Sequence, residues 1–443
     1  MSTTIDFSKD LRDKVDDILS VQVTNENTIT GIIYSPYLED FRISLEEISL
    51  NMDERFIDNH ADVIGLTFNI ALVNYLYIIN LYQDLRCNIT ISNNIKTSNP
   101  VWPRDDIVID HRIIFVNKDD ILKNISRSDV MLDDTRYNQD RHIANKITVE
   151  AQLVDDDTFE LRKKQYGCIF RNTTLERVIH FLVGKFNPSG KFIVAPDNKI
   201  EYENVVIPGL MPFNEIFHHL DKEYNGIYNT GLGYYMLQGI FYTYPLYNFN
   251  PDDPSHIVHI YMVGNNTFLG AKNYHIFKDG DWHILANMGS TSKQLMESST
   301  ENVGNGFMVF KDSIEFDGWR TQSDDGTFSI IEEPIIQMQL DNDNTLSGAS
   351  HNLRYKYGEK SLSKCRSELS LMNGTLFNIN WDHASPYVIR PGGMIMIHYD
   401  GANGYETKSG VCIHANYNYT SVARDGVDRI YNCKANITLL TET

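Results

Sequence analysis

Cysteine, proline and cationic residues are all scarce in this sequence, and no long apolar run is left uninterrupted. The 443 residues contain five cysteines, Cys87, Cys168, Cys365, Cys412 and Cys433, separated by 81, 197, 47 and 21 positions. An odd number at such spacings gives neither a disulfide framework nor a zinc-ligand pattern, and it fits a reducing compartment. With 13 prolines and 27 glycines, collagen-like and low-complexity chains are excluded. Val63 to Tyr82 is the one run that needs a membrane test. Asn69, Asn74 and Asn80 interrupt it and Asp62 and Asp84 flank it, so it reads as buried strand and helix, with no stable membrane insertion. The first 25 residues carry Asp6, Asp10, Asp13, Asp16 and Asp17 where a signal peptide needs an apolar core.

Basic residues number 39 against 59 acids, a formal charge of −20. Such a surface repels phosphate backbones, which argues against specific nucleic-acid binding. What is abundant is asparagine, 41 residues, with 25 tyrosines and many isoleucines. Together with short β-branched runs, this describes a β-rich chain with long polar turns.

Phe7, Leu11, Val15, Ile18 and Leu19 have helical spacing, and a second helix is expected over Ala71 to Gln83. Between them, β-branched runs from Thr28 to Asn51 are broken at Ser35-Pro36. Strands follow at Cys87 to Ser92 and Arg112 to Val116, and Asp119 to Ser126 reads as a further helix. Ile147 to Leu153 alternates as a half-buried strand. Asp155 to Asp157 reads as a turn, with a returning strand from Phe159 towards Phe170. Thr173 and Glu176 have capping-box spacing ahead of Leu175, Val178, Ile179, Leu182, Val183 and Phe186, an amphipathic helix. Another helix opens at Pro212 with Phe213, Ile216, Phe217, Leu220 and Tyr224 on one face, and the preceding helix is its expected partner.

Beyond Gly233 strands dominate: Tyr234 to Tyr244, Ile257 to Val263, His275 to Lys278 paired with Trp282 to Ala286 across Asp279-Gly280, and Gly306 to Phe310. The last three are Met394 to Tyr399, Val411 to Tyr419 and Arg429 to Leu440, joined by Asp400 to Ser409 and by Ala423 to Val427. No internal repeat or heptad run occurs. The expected fold class is α+β, mainly β, in three units: 1-150, 151-255 and 256-443.

Catalytic and ligand-binding motifs are weak. His218 and His219 are adjacent on a helix and do not share a face. His256 and His259 point to opposite faces of a strand. In Asp279 to His283 and in Trp381-Asp382-His383 a carboxylate sits beside an imidazole, which a general base needs, but no nucleophile motif accompanies either, and a hairpin turn and a loop account for both. Asp341 to Asn344 begins like a calcium loop, yet Leu346 stands where the tight turn needs glycine and Asn352 where the last ligand should be. Gly231-Leu232-Gly233 lacks the third glycine of a dinucleotide loop. The 59 carboxylates offer no spacing that selects a glycosidase pair. No catalytic, cofactor or metal residue is therefore assigned.

Two blocks carry a family resemblance. One is the order of elements from Ile147 to Tyr247, including Ile207-Pro208-Gly209 to Pro212-Phe213 and Gly226-Ile227-Tyr228. The other is the ending Pro391-Gly392-Gly393-Met394 to Ile397, Lys408-Ser409-Gly410-Val411 and Lys434 to Leu439. Together they resemble the central baseplate hub proteins of contractile-tailed bacteriophages, similar also to the hub part of type VI secretion spike proteins. Gly289 to Asn305 and Asp317 to Asn352 depart from that pattern as long inserted loops. The resemblance implies two tail-tube-like antiparallel β-barrel domains with an intervening small α/β domain, and a non-enzymatic virion protein made in the host cytoplasm. It implies a homotrimeric ring that joins the sixfold tail tube to the threefold central spike, contacts other baseplate subunits and leaves a lumen for DNA. A peripheral baseplate or receptor-binding protein, and a carbohydrate-active enzyme, stay open as alternatives.

Overall fold

Alternation of apolar and polar residues shapes most of the chain: in Glu46–Arg55, Ile48, Leu50 and Met52 turn inward while Ser49 and Asn51 face water. The computed structural model describes residues 15–16, 27–57, 61–93, 106–116, 146–248, 257–263, 275–293, 374–422 and 429–441, except 39, 62, 82–83, 225 and 402–403, together with three short strands between 308 and 331. The helix expected at 119–126 and the calcium-like segment at 341–352 lie outside these residues. Of the first expected helix, Val15 and Asp16 are described as helical, and Val15 is buried in the main core.

The first stretch contains β1 (Asn27–Tyr34), β2 (Arg42–Ser44), β3 (Glu46–Arg55), β4 (Val63–Ala71), α1 (Leu72–Leu81), β5 (Arg86–Asn93), β6 (Ile107–Val116) and β7 (Lys146–Val154). The run tested for a membrane is thus a strand that passes directly into a helix. No helix among the described residues is long and apolar enough to cross a bilayer. The middle stretch holds α2 (Asp156–Lys163), β8 (Gln165–Thr174), α3 (Leu175–Phe186), β9 (Gly190–Ile193), β10 (Glu201–Pro212), α4 (Phe213–Glu223), β11 (Leu232–Leu237) and β12 (Ile240–Pro245). The last stretch holds β13 (Val258–Val263), β14 (His275–Lys278), β15 (Asp281–Lys293), β16 (Met308–Val309), β17 (Trp319–Gln322), β18 (Phe328–Ile331), β19 (Thr375–Asp382), β20 (Met394–Gly401), β21 (Gly404–Val422) and β22 (Ile430–Thr441).

The pairing closes two rings. In the first, β3, β4, β7, β6, β5, β1, β22 and β21 follow one another and return to β3, every pair antiparallel. In the second, β13, β20, β21, β22, β19 and β15 return to β13, which runs parallel to both of its neighbours. The hairpin β21–β22 belongs to both. The first part of β21 pairs with β20 and its His414 to Tyr419 part pairs with β3. On β22, Lys434 to Thr441 pairs with β19, and Tyr431 meets Asn27 of β1. One contiguous apolar core runs through both rings.

Between the rings and the helices lies the β9–β12–β11 sheet, of which β11 and β12 are buried on both faces and β9 is an exposed edge. Tyr235, Leu237, Tyr242 and Tyr244 enter the barrel core, whereas Tyr234, Met236 and Phe241 pack with α3 and α4. The two helices are partners as expected, with the Phe186 and Phe213 rings 4.0 Å apart. Tyr244 ties three parts of the chain together. Its hydroxyl donates to the Phe56 carbonyl at 2.8 Å, and its ring lies against Gly233 and Gly392. The Pro391-Gly392-Gly393 turn is fixed here: Gly392 has φ +69, Gly393 N–H donates to the Arg390 carbonyl, and a β-carbon on Gly392 would fall 2.6 Å from the Tyr244 ring.

Several local expectations are corrected. Asp155 to Asp157 begins a helix, α2, and not a turn. Asp155 caps it by accepting from Thr158 N at 2.9 Å, Arg162 and Lys163 close its last turn, and Leu161 is buried. Asp156 also holds Arg86 and Arg112 of the first barrel, at 3.2 Å for Arg112 Nε. The strand therefore begins at Gln165, and its partner is β10. The cap of α3 is Thr174, one residue later than the capping-box spacing places it. Tyr234 to Tyr244 is a hairpin, because Gln238 and Gly239 both adopt positive φ, 52° and 73°. The connection from Asp400 to Ser409 is mostly strand, with Gly401 opposite Gly404. Of the two inserted loops, 289–293 continues β15 past a bulge, and β17 and β18 lie within 317–352.

Replacing Gly392 by alanine adds a β-carbon against a fully buried ring and a positive φ, which is expected to cost about 2–4 kcal/mol. A fall in the urea midpoint with unchanged slope is the check; an unchanged midpoint refutes the Tyr244 wedge.

Candidate functional site

The acid–imidazole pairs adjacent in sequence do not form catalytic dyads. Asp382 reaches Lys434 at 3.9 Å, and Trp381 beside it is buried, with the His275 ring edge-on at 5.4 Å. Asp281 accepts from Ile257 N at 3.1 Å and lies 3.7 Å from the imidazole of His259, a residue of another strand. His219 contacts the Val206 carbonyl at 2.9 Å, whereas His218 lies edge-on to Tyr234. Gly233 serves close packing against Tyr244, not a phosphate. His256 lies outside the described residues.

Burial governs the other reactive groups. Cys87, Cys412 and Cys433 are free but buried, and desolvation holds each thiol far above its ordinary range, with the Asp110 carboxylate adding to the effect at Cys87 and Glu54 at the other two. A nucleophile is excluded there. Glu54 itself is fully buried within the shared hairpin's surroundings. Among the described residues no three metal-ligating side chains converge.

What the fold does assemble is a row of rings on the outer side of the second barrel. Register places His259 of β13 beside His283 of β15, and Tyr261 of β13 beside His398 of β20. The rings stack: His259 and His283 have centroids 4.9 Å apart at 8°, and Tyr261 and His398 lie 4.6 Å apart at 13°. His259 Nδ1 is 2.9 Å from His398 Nε2, Tyr261 Oη is 3.1 Å from His283 Nδ1, and the Tyr405 hydroxyl is 2.7 Å from His398 Nδ1. Within the row, His259 and His398 meet nitrogen to nitrogen, whereas His259 with His283 and Tyr261 with His398 lie face against face. Sequence reasoning missed the row because its members come from three distant segments. The available signal was the i, i+2 spacing of His259 and Tyr261 on one face of a strand.

A second feature spans both barrels. Asn287, Asn380, Asn436, Asn416 and Asp53 stand opposite one another across β15, β19, β22, β21 and β3. Asn51 donates to Asn418 at 2.9 Å, Asn418 to Asn416 at 2.7 Å, and Thr438 to Asn378 at 3.0 Å. The abundant asparagines thus make a lateral amide ladder on an outward face, opposite Ala415, Tyr417 and Tyr419 in the core. At its edge His414 Nε2 is 2.5 Å from Asp53. Burial raises the Asp53 carboxyl, but the His414 bond and charge, with Asn416 and Arg55, more than offset it and leave it below its ordinary value. Where β1 and β22 part, a cleft of about 540 Å³ opens, lined by Thr28, Thr30, Glu47 and Tyr431, with an ion pair between Arg429 and Glu47 across it.

The comparisons with known proteins follow this architecture. The chain belongs to the family of the bacteriophage PBS1 gene 109 protein, whose model matches residues 24–268, from just before β1 to just past β13. No curated protein matches the chain. Among solved structures it is similar to a tail protein from Neisseria meningitidis MC58, at 8% identity and TM-score 0.43, covering 93% of this chain and 96% of that one. It is similar also to the 43 kDa tail protein of prophage MuSo2 from Shewanella oneidensis, at 10% identity and TM-score 0.45, covering 93% and 98%. A third is the E. coli c3393 protein, described as a type VI secretion component resembling T4 tail proteins gp27 and gp5, at 9% identity and TM-score 0.43, covering 93% and 77%. The family match agrees with the bacteriophage origin that the sequence resemblance named.

Burial, with the His383 charge beside it, pushes the His275 imidazole down to about 4. Unfolded, it titrates near 6.5, so it adds nothing against folding at pH 7 and opposes folding as pH falls from 6.5 to 4, by about 3 kcal/mol in all. Urea unfolding at pH 7 and pH 4.5 should show that loss, and His275→Leu should make it smaller; an equal loss in the variant refutes the assignment.

Proposed function

We propose that the protein is a non-enzymatic baseplate hub subunit, located in the phage tail, whose work is oligomer geometry. The observation that carries this reading is the presence of two closed strand rings in one chain, fused through β21–β22. Three such chains offer six barrels, so a threefold assembly can meet a sixfold tube on one side and a threefold spike on the other. Membership of a phage protein family agrees with a place in the virion. Burial keeps the Cys87, Cys412 and Cys433 thiols protonated, and the charge of −20 suits a lumen through which DNA slides without sticking. We divide the chain into units 1-150, 151-255 and 256-443, with the hairpin of the third completing the first. Tail tube protein, central spike and neighbouring baseplate subunits are the partners of this reading.

Native mass across a concentration series, alone and with the co-expressed spike protein, tests it. A trimer, or a three-to-three complex with the spike, is expected. A strict monomer that ignores the spike overturns the hub and moves the assignment to a peripheral baseplate or receptor-binding subunit.

A further inference from the structure

We infer that His259 and His398 form a one-proton fastening of the parallel seam that closes the second barrel. The seam is unusual within this fold, because β13 is held on both sides by parallel pairing, to β20 and to β15. The two imidazoles sit across it with Nδ1 of His259 and Nε2 of His398 at 2.9 Å and ring planes 20° apart. Centroids 5.2 Å apart fit a head-to-head hydrogen bond, in which one nitrogen carries a proton and the other accepts it.

The neighbours decide which. Asp281 Oδ2 lies 3.7 Å from His259 Nε2 and favours a proton there. His259 Nδ1 is then the acceptor, His398 Nε2 the donor, and the one lone pair of His398 Nδ1 accepts from the Tyr405 hydroxyl at 2.7 Å, with the Thr407 hydroxyl beside it at 3.0 Å. In this arrangement both rings are neutral Nε2–H tautomers, with three of the four nitrogens hydrogen-bonded and His259 Nε2 facing the Asp281 carboxylate at 3.7 Å. The polarity runs from Tyr405 through His398 and His259 to Asp281.

One added proton fits this arrangement. It goes to His398 Nδ1, the two hydroxyls turn to become acceptors, and the His398–His259 bond stays. A second has no place: on His259 Nδ1 it would face the His398 Nε2 proton across 2.9 Å, and the pair must part. His283 of β15 is engaged with Tyr261 of β13, Lys278 of β14 stands opposite Asp281, and Asp400 of β20 stands opposite Tyr405. The pair therefore binds one proton with the seam intact and a second only when β13 separates from β20. This inference concerns the barrel alone and stands or falls independently of the hub assignment.

Nitrogen-15 NMR of the full chain labelled in histidine reads it directly. At pH 8 both rings are expected as Nε2–H tautomers, with a coupling across the bond between His259 Nδ1 and His398 Nε2. On acidification the pair should take up one proton with the coupling retained, and lose the coupling when the second binds. Absence of coupling at every pH, or uptake of both protons while it persists, overturns the inference. In His398→Gln, amide exchange of Val258 to Val263 should quicken about tenfold, the effect of one lost hydrogen bond, and an unchanged rate counts against it.

Discussion

Two strands at the end of the chain hold the architecture together, because each has more neighbours than an ordinary strand can serve. β21 gives its first residues to β20 and its later ones to β3, and β22 divides itself between β19 and β1. Length makes this possible: at roughly 3.3 Å per residue, the 19 residues of β21 extend far enough to cross from one ring to the next. The inner face of the hairpin must then suit two interiors at once, which accounts for the small and aromatic residues Ala415, Tyr417 and Tyr419 and for Ile437, Ala435 and Cys433 opposite them. The outer face has the complementary task of staying wet without exposing isolated charges. Neutral amides bonded to one another do that.

The middle layer is organised by the same constraint of two-sided burial. A two-stranded ribbon exposed on one face would carry alternating polar residues, but β11 and β12 read as almost unbroken apolar text because helices cover one side and the barrels the other. Tyrosine suits such a layer, since its ring fills space while its hydroxyl reaches a carbonyl. Tyr244 reaches Phe56, Tyr228 reaches Val194 and Tyr234 reaches Asn214, at 2.8, 2.6 and 2.6 Å.

Much of this was readable in the amino-acid sequence wherever one segment determines its own structure. The periodicity of Leu175 to Phe186 and of Phe213 to Leu220 gives α3 and α4, Asp279-Gly280 gives its hairpin, and the last three strands stand where their apolar runs predict. Reading failed where a distant group decides. The acids at Asp155 to Asp157 resemble a turn, but Arg86 and Arg112 from two strands of the first barrel neutralise Asp156 and let it sit in a helix. The same reason hid the ring row. Asp281 and His283 are close in the chain, yet the imidazole that Asp281 faces comes from β13, and the partner of that imidazole lies 139 residues further on.

The shared hairpin also dictates an order of synthesis. As the ribosome releases the chain, β1 and β3 to β7 emerge early, yet their ring lacks the two strands that close it until residue 441 has left the exit tunnel. The first barrel therefore begins to form long before it can close, since closure waits for β21 and β22. In the interval, the edges of β3 and β1 stand open, and such edges pair with whatever strand arrives. The polar outer positions of β3, Ser49, Asn51 and Asp53, keep that waiting edge soluble before they become part of the ladder.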